Sequence, residues 1–256
     1  MPEVQFEPDP DTHVAVIRLD RPEARNAVTG DMAEAIEAAL DTVEGDDRLW
    51  VTVVTGTDDV FCSGGDLREV AAGDPRMRTR RGGFAGIVRR ERRKPLVAAV
   101  EGPAVGGGTE IVLASDLVVA GDGATFGLPE VRNSLLAAAG GLFRLGRHIP
   151  PTVAMQWALT GDYFPAARAY ELGLINEVVP AGDALRAARE LAARICRNAP
   201  LAVQHSRAVM LEATWLPEDE AWRRNTEAMR ELGRTADFHE GMAAAAEKRP
   251  PKWTAS

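Results

Sequence analysis

The sequence predicts an α/β domain carrying a helical C-terminal layer. Three observations lead there. Short β-branched runs alternate with helical patterns up to residue 120, glycine clusters follow two of those runs, and nearly everything after Pro150 has helical spacing.

Residues 13–20 (HVAVIRLD) alternate and are β-branched, so they read as a strand that Arg21-Pro22 ends. Residues 31–47 place apolar side chains at helical intervals behind an acidic first turn, as an amphipathic helix requires. Strands follow at 50–55, 95–100 and 117–120, with helical patterns between them, the signature of right-handed βαβ units around a buried sheet. Beyond Pro150, residues 153–161, 165–173, 183–198, 203–214 and 219–233 read as helices separated by Gly or Pro. One short strand, 175–179, interrupts them. The division expected is an α/β core over 1–195 and a helical region over 196–256.

With 256 residues, 45% of them apolar and 27% charged, the chain can build a sizeable core. The net charge of −8 argues against a dedicated nucleic-acid binder. No apolar run approaches the roughly 20 residues of a membrane helix, and MPEVQFEPDPD lacks a signal-peptide core. Cys62 and Cys196 have no metal or disulfide spacing, which suits a reducing, cytoplasmic setting. One segment opposes the acidic balance: residues 76–94 hold nine basic side chains against Glu91 alone. It reads equally as a solvated helix face or as an edge for a polyanion or an acidic neighbour.

Several familiar signatures fail. GPAVGGGT has P-loop glycine and threonine spacing, but Gly108 stands where the phosphate-binding lysine belongs. No GxGxxG opens a helix after the first strand, and FCSGG has Phe61 in place of a nucleophile elbow's first glycine. The four histidines are scattered, and no metal site is expected.

What remains is glycines and carboxylates. TGTDDVFCSGGDL and EGPAVGGGTE both follow strands, at the carboxyl ends where open α/β sheets place ligands. Small residues there let backbone N–H groups approach a ligand, and two such groups aimed at one oxygen would form an oxyanion hole. Glu110 begins an otherwise apolar helix. Capping would explain a carboxylate there, but among Ile111, Val112, Leu113 and Ala114 it is costly unless it is paired or functional. Glu130, in ATFGLPEVRN, is the second candidate; a salt bridge to Arg132 is its structural alternative.

At these residues the sequence resembles the crotonase (enoyl-CoA hydratase/isomerase) superfamily. The matching pieces are LDRPEARNAV, FCSGGDL, KPLVAAVEGPAVGGGTEIVLASDLVVA, ATFGLPE, the GG of AAAGGLFRL and the LTG…GLINEVVP block. The resemblance implies a fold of repeated ββα units with a helical C-terminal layer serving trimerisation or as a lid. It implies an oxyanion hole from the N–H groups of Ser63 and Gly107, and catalysis by Glu110 and Glu130. It assigns Arg25, Ala27, Ser63, Gly64, Gly65, Asp66, Leu67 and Gly107 to the substrate and its CoA moiety.

The glutamate pair favours reversible addition of water to a 2-enoyl-CoA, with Glu110 as base and Glu130 as proton donor. Coenzyme A enters only as part of the substrate, so no separate cofactor is expected. Neither nucleic acid nor membrane is an expected partner, and the resemblance implies a homotrimer or a dimer of trimers. Alternatives are carnitinyl-CoA dehydratase/crotonobetainyl-CoA hydratase, which GGFAGI and AEKRPPKW resemble, an enoyl-CoA isomerase, or a non-catalytic acyl-CoA-binding homologue. One departure stands out: SLLAAAGG at 134–141 replaces the family's GTIPGAGG, adding methyl groups beside the second glutamate.

Overall fold

The computed structural model describes residues 2–57, 59–73 and 76–256, so Asp58 of the first glycine segment lies outside the described residues. β1 (Val4–Asp9) pairs antiparallel with β2 (Val14–Leu19). After α1 (Gly30–Gly45) comes β3 (Val51–Thr55), then a short α2 (Leu67–Ala72). A hairpin of β4 (Arg78–Thr79) and β5 (Gly83–Phe84) precedes β6 (Leu96–Val100) and β7 (Pro103–Val105). Next are α3 (Gly107–Ala114), β8 (Leu117–Gly121) and β9 (Thr125–Gly127). Then follow α4 (Gly141–His148), α5 (Pro151–Thr160), β10 (Phe164–Pro165), α6 (Ala166–Glu171) and β11 (Glu177–Val179). The chain finishes with α7 (Ala184–Cys196), α8 (Pro200–Ala213), α9 (Glu218–Leu232) and α10 (Ala236–Glu247).

The main sheet runs β1-β2-β3-β6-β8-β11, parallel from β2 onward, and a smaller sheet runs β10-β9-β7. Side-chain alternation sorts the core. Leu96, Ala98 and Val100 face one side with α1 and α3, whereas Val97 and Ala99 face α7. Both faces are therefore buried, as parallel sheets require. The face toward α7 meets Ala184, Ala187, Ala188 and Ala192, small residues that let the helix sit close to the sheet. The expected boundary at 195 falls at the last turn of that helix. No described helix is long and apolar enough to cross a membrane.

α1 forms where the pattern places it. Thr29 caps it by accepting the Met32 N–H at 3.1 Å, and Met32, Ala33, Ile36, Ala39, Leu40 and Val43 bury one stripe. Its polar side explains the basic segment, which is not the helix face that charge patterning allowed. Arg76 pairs with Asp31 at 2.8 Å, Arg81 with Asp41 at 2.5 Å and Arg93 with Glu44 at 3.2 Å. Arg90 also pairs with Asp41, and Lys94 Nζ donates to the carbonyls of Val43 and Asp46 at 2.7 and 2.8 Å. Much of the run thus clasps the acidic side of α1. The elements absent from the sequence expectations are the short strands, β1, α4 and α10, where two or three residues carry too little periodicity or where polar and apolar residues mix.

Candidate active site

Two turns meet beyond the carboxyl ends of β3 and β6. Cys62 bridges Ala104, with Val105 N–H donating to the Cys62 carbonyl at 2.9 Å. A Cβ on Gly108 would lie 2.2 Å from that carbonyl oxygen, so only glycine lets the turns close to this distance. The Gly64 Cβ position is in turn 3.3 Å from the Gly107 nitrogen. The two glycine segments therefore touch.

The start of α3 is pinned by a buried threonine. Thr109 Oγ1 lies 2.6 Å from the Ala104 carbonyl and 2.8 Å from that of Gly127, and accepts the Gly127 N–H at 3.0 Å. This ties α3 to β7 and β9 and fixes the next residue, Glu110. That carboxylate is 3% exposed, and its Oε1 accepts the N–H groups of Ala139 at 2.7 Å and Gly141 at 2.9 Å. Burial raises its pKa to about 7; the two N–H donors and Arg78 pull the other way, and the Glu130 charge adds to the rise.

Glu130 sits in a 3-10 turn, Pro129–Asn133, just after β9. Its Oε1 stands 3.2 Å from where a Cβ on Gly106 would be, and its buried Oε2 has no hydrogen-bond partner among the described residues. Burial raises its pKa as well. The Arg132 salt bridge that could have explained Glu130 is absent; Arg132 pairs instead with Asp162 at 3.0 Å. Both carboxyls are therefore held near the same helix start in a medium that favours their neutral forms.

The backbone donors correct one expectation. Ser63 N–H is spent on the Arg25 carbonyl at 3.1 Å, because Arg25 and Asn26 adopt left-handed φ angles of 54° and 53°. That turn is held by buried Asn26, whose side chain accepts from Arg21 N–H at 2.8 Å and donates to the Val60 carbonyl at 2.7 Å. Gly64 N–H points to Cys62 Sγ at 3.4 Å. Gly65 N–H has no acceptor among the described residues, and Gly107 is the first residue of α3, where helical N–H groups have none within the helix.

The other expected residues gather around these turns. Val28 bridges Gly65, and Arg21 Nη1 joins the Ala27 carbonyl at 3.1 Å to Asp66 at 2.7 Å. Asp66 also caps α2 by accepting Arg68 N–H at 2.9 Å, so its carboxylate is structural. Leu67 is exposed, as is Arg25. Sequence reasoning missed Phe84. Its ring lies 2.4 Å from the Cβ position of Gly107 and 3.5 Å from that of Gly65, with Met77 Sδ 3.0 Å from the latter. An apolar wall thus stands against both glycines. Among the described residues, no cluster of three or more His, Cys, Asp or Glu is arranged to hold a metal ion.

Such a sheet, with a glutamate on the helix after its glycine turn, defines an α/β protein of the crotonase type. The family model for enoyl-CoA hydratase/isomerase matches residues 10–256. The chain is 40% identical to "Enoyl-CoA hydratase EchA19" of Mycobacterium tuberculosis over 247 residues, 94% of this chain and 93% of that one. It is 33% identical to "2,3-dehydroadipyl-CoA hydratase" of Escherichia coli, over 93% of this chain and 94% of that one. A crystal structure of enoyl-CoA hydratase from Mycobacterium tuberculosis H37Rv superposes with a TM-score of 0.94 at 41% identity, covering 100% of both chains. The chain belongs to the enoyl-CoA hydratase/isomerase family.

Proposed function

We propose that this protein is an enoyl-CoA hydratase that adds water reversibly, with syn geometry, across the C2–C3 bond of a 2-enoyl-CoA thioester. Family membership brings hydratase/isomerase chemistry on acyl-CoA. The observation that carries the finer reading is the carboxyl pair, buried Glu110 with two N–H donors on one oxygen and half-buried Glu130 with an enclosed oxygen left unpartnered. The two N–H bonds favour the ionised form of Glu110, which takes a proton from water as its oxygen bonds C3. Glu130, lacking such donors, carries the proton that C2 receives.

Between those steps negative charge gathers on the thioester oxygen. The Gly65 and Gly107 N–H groups are the donors left open to it, and one such donor is typically worth about 3–4 kcal/mol of transition-state stabilisation. The CoA moiety follows the surface at Arg25, Ala27 and Ser63–Leu67. Exposed Met210, Leu211, Trp215, Trp222 and Met229 on and beside α8 and α9 suit burial between subunits, in keeping with a trimer or a dimer of trimers. A cytoplasmic setting fits the two free cysteines.

Loss of enoyl-thioester absorbance with crotonyl-CoA and crotonobetainyl-CoA tests the reading and separates a general hydratase from a carnitinyl-CoA dehydratase. Glu110→Gln and Glu130→Gln should each slow hydration about 10²–10⁴-fold. Full activity in either variant, or no consumption of either thioester by the unaltered protein, would remove the two-carboxylate mechanism.

A further inference from the structure

The basic segment leaves one cation in an informative place. Arg76, Arg81, Arg90 and Arg93 are paired with α1, and Arg92 reaches Asp116 at 3.1 Å. Arg78 has no ion-pair partner among the described residues, and its side chain is exposed. Its strand position is specific: Arg78 lies directly opposite Phe84 in the β4–β5 hairpin. Opposed residues of an antiparallel pair project from the same face. Phe84 is the ring that stands against Gly107 and Gly65, and Met77, beside Arg78, packs on Gly65. The Arg78 charge is also felt at the buried Glu110 carboxyl. A permanent cation therefore stands across the hairpin from the ring that backs both glycines, within electrostatic reach of Glu110.

We propose that Arg78 is a specificity residue that selects acyl-CoA substrates whose acyl chain ends in a carboxylate. This rests on the reading that Gly65 and Gly107 hold the thioester oxygen and Glu110 faces C2–C3. With the thioester fixed there, an acyl chain running past Glu110 and along Phe84 leads toward the guanidinium. Arginine suits that end because its planar fork accepts a carboxylate through two parallel hydrogen bonds and never loses its charge. An uncharged chain of the same length would leave Arg78 solvated and gain nothing from it.

The test measures binding of saturated thioesters, which do not turn over. Dissociation constants for butyryl-CoA and adipoyl-CoA are determined by calorimetry for the unaltered protein, Arg78→Gln and Arg78→Lys. Arg78→Gln should shift the ratio of the two constants about tenfold toward butyryl-CoA, and Arg78→Lys should restore part of the difference. Raising the salt concentration should erode the adipoyl-CoA preference of the unaltered protein. An equal loss for both thioesters would overturn the proposal and assign Arg78 to the CoA phosphates. An unchanged ratio with unchanged affinities would overturn it too. Failure to hydrate any enoyl-CoA would remove the hydratase reading while leaving this binding result standing.

Discussion

Gly141 donates its N–H to Oε1 of Glu110 at 2.9 Å, and a Cβ at Gly141 would stand 3.0 Å from that same oxygen. The glycine is both the donor and the clearance for the carboxylate. Gly141→Ala should therefore displace Glu110, lowering kcat about tenfold or more while KM changes less. Steady-state kinetics on crotonyl-CoA would read the split; a change in KM alone would contradict the arrangement.

The raised pKa of Glu110 makes stability depend on pH. Its folded value of about 7 lies above the ordinary glutamate value of 4.5, so the folded state holds the proton more tightly. The stabilisation is complete below about pH 4.5 and is lost as pH rises through about 7. At ~1.4 kcal/mol per pKa unit, the protein should lose about 3 kcal/mol relative to Glu110→Gln across that window. Paired denaturant titrations at several pH values would show it, and parallel curves for the two proteins would refute it. Activity should move the other way, rising with pH as Glu110 ionises.

Gly108 separates packing from chemistry. Its added Cβ would meet the Cys62 carbonyl, a backbone atom with no rotamer to move aside. Gly108→Ala should cost about 1–3 kcal/mol by forcing the glycine turns apart. A melting temperature equal to that of the unaltered protein would mean that the turns can separate freely.

Asp116 joins the C-terminal layer to the sheet. Its Oδ2 lies 3.1 Å from Arg92 Nη1 and 2.9 Å from Arg207 Nε on α8, and accepts Leu96 N–H at 2.8 Å. Asp116→Asn leaves two guanidinium groups without their counter-charge, Arg92 being almost wholly enclosed. The cost should be about 3–5 kcal/mol, measured by chemical denaturation. A loss below 1 kcal/mol would show that solvent already screens this cluster.

The sequence by itself determined the main sheet and singled out the two candidate carboxyl groups. β-branched runs placed β2, β3, β6 and β8 to within a residue or two, because parallel strands buried on both faces leave continuous apolar signals. Glu110 and Glu130 were legible because a carboxylate next to apolar helix or strand residues is costly unless something uses it. The tertiary structure decided what those groups touch. Whether the Ser63 or the Gly65 N–H is free depends on where the Arg25 carbonyl points, which two left-handed residues far from Ser63 in sequence determine. The basic run acquired meaning only when α1 presented its carboxylates, leaving Arg78 beside Phe84 instead. Composition and periodicity register which residues are buried. Hydrogen-bond partners and pKa shifts arise from atoms brought within a few ångströms across dozens of residues, and only folding supplies those distances.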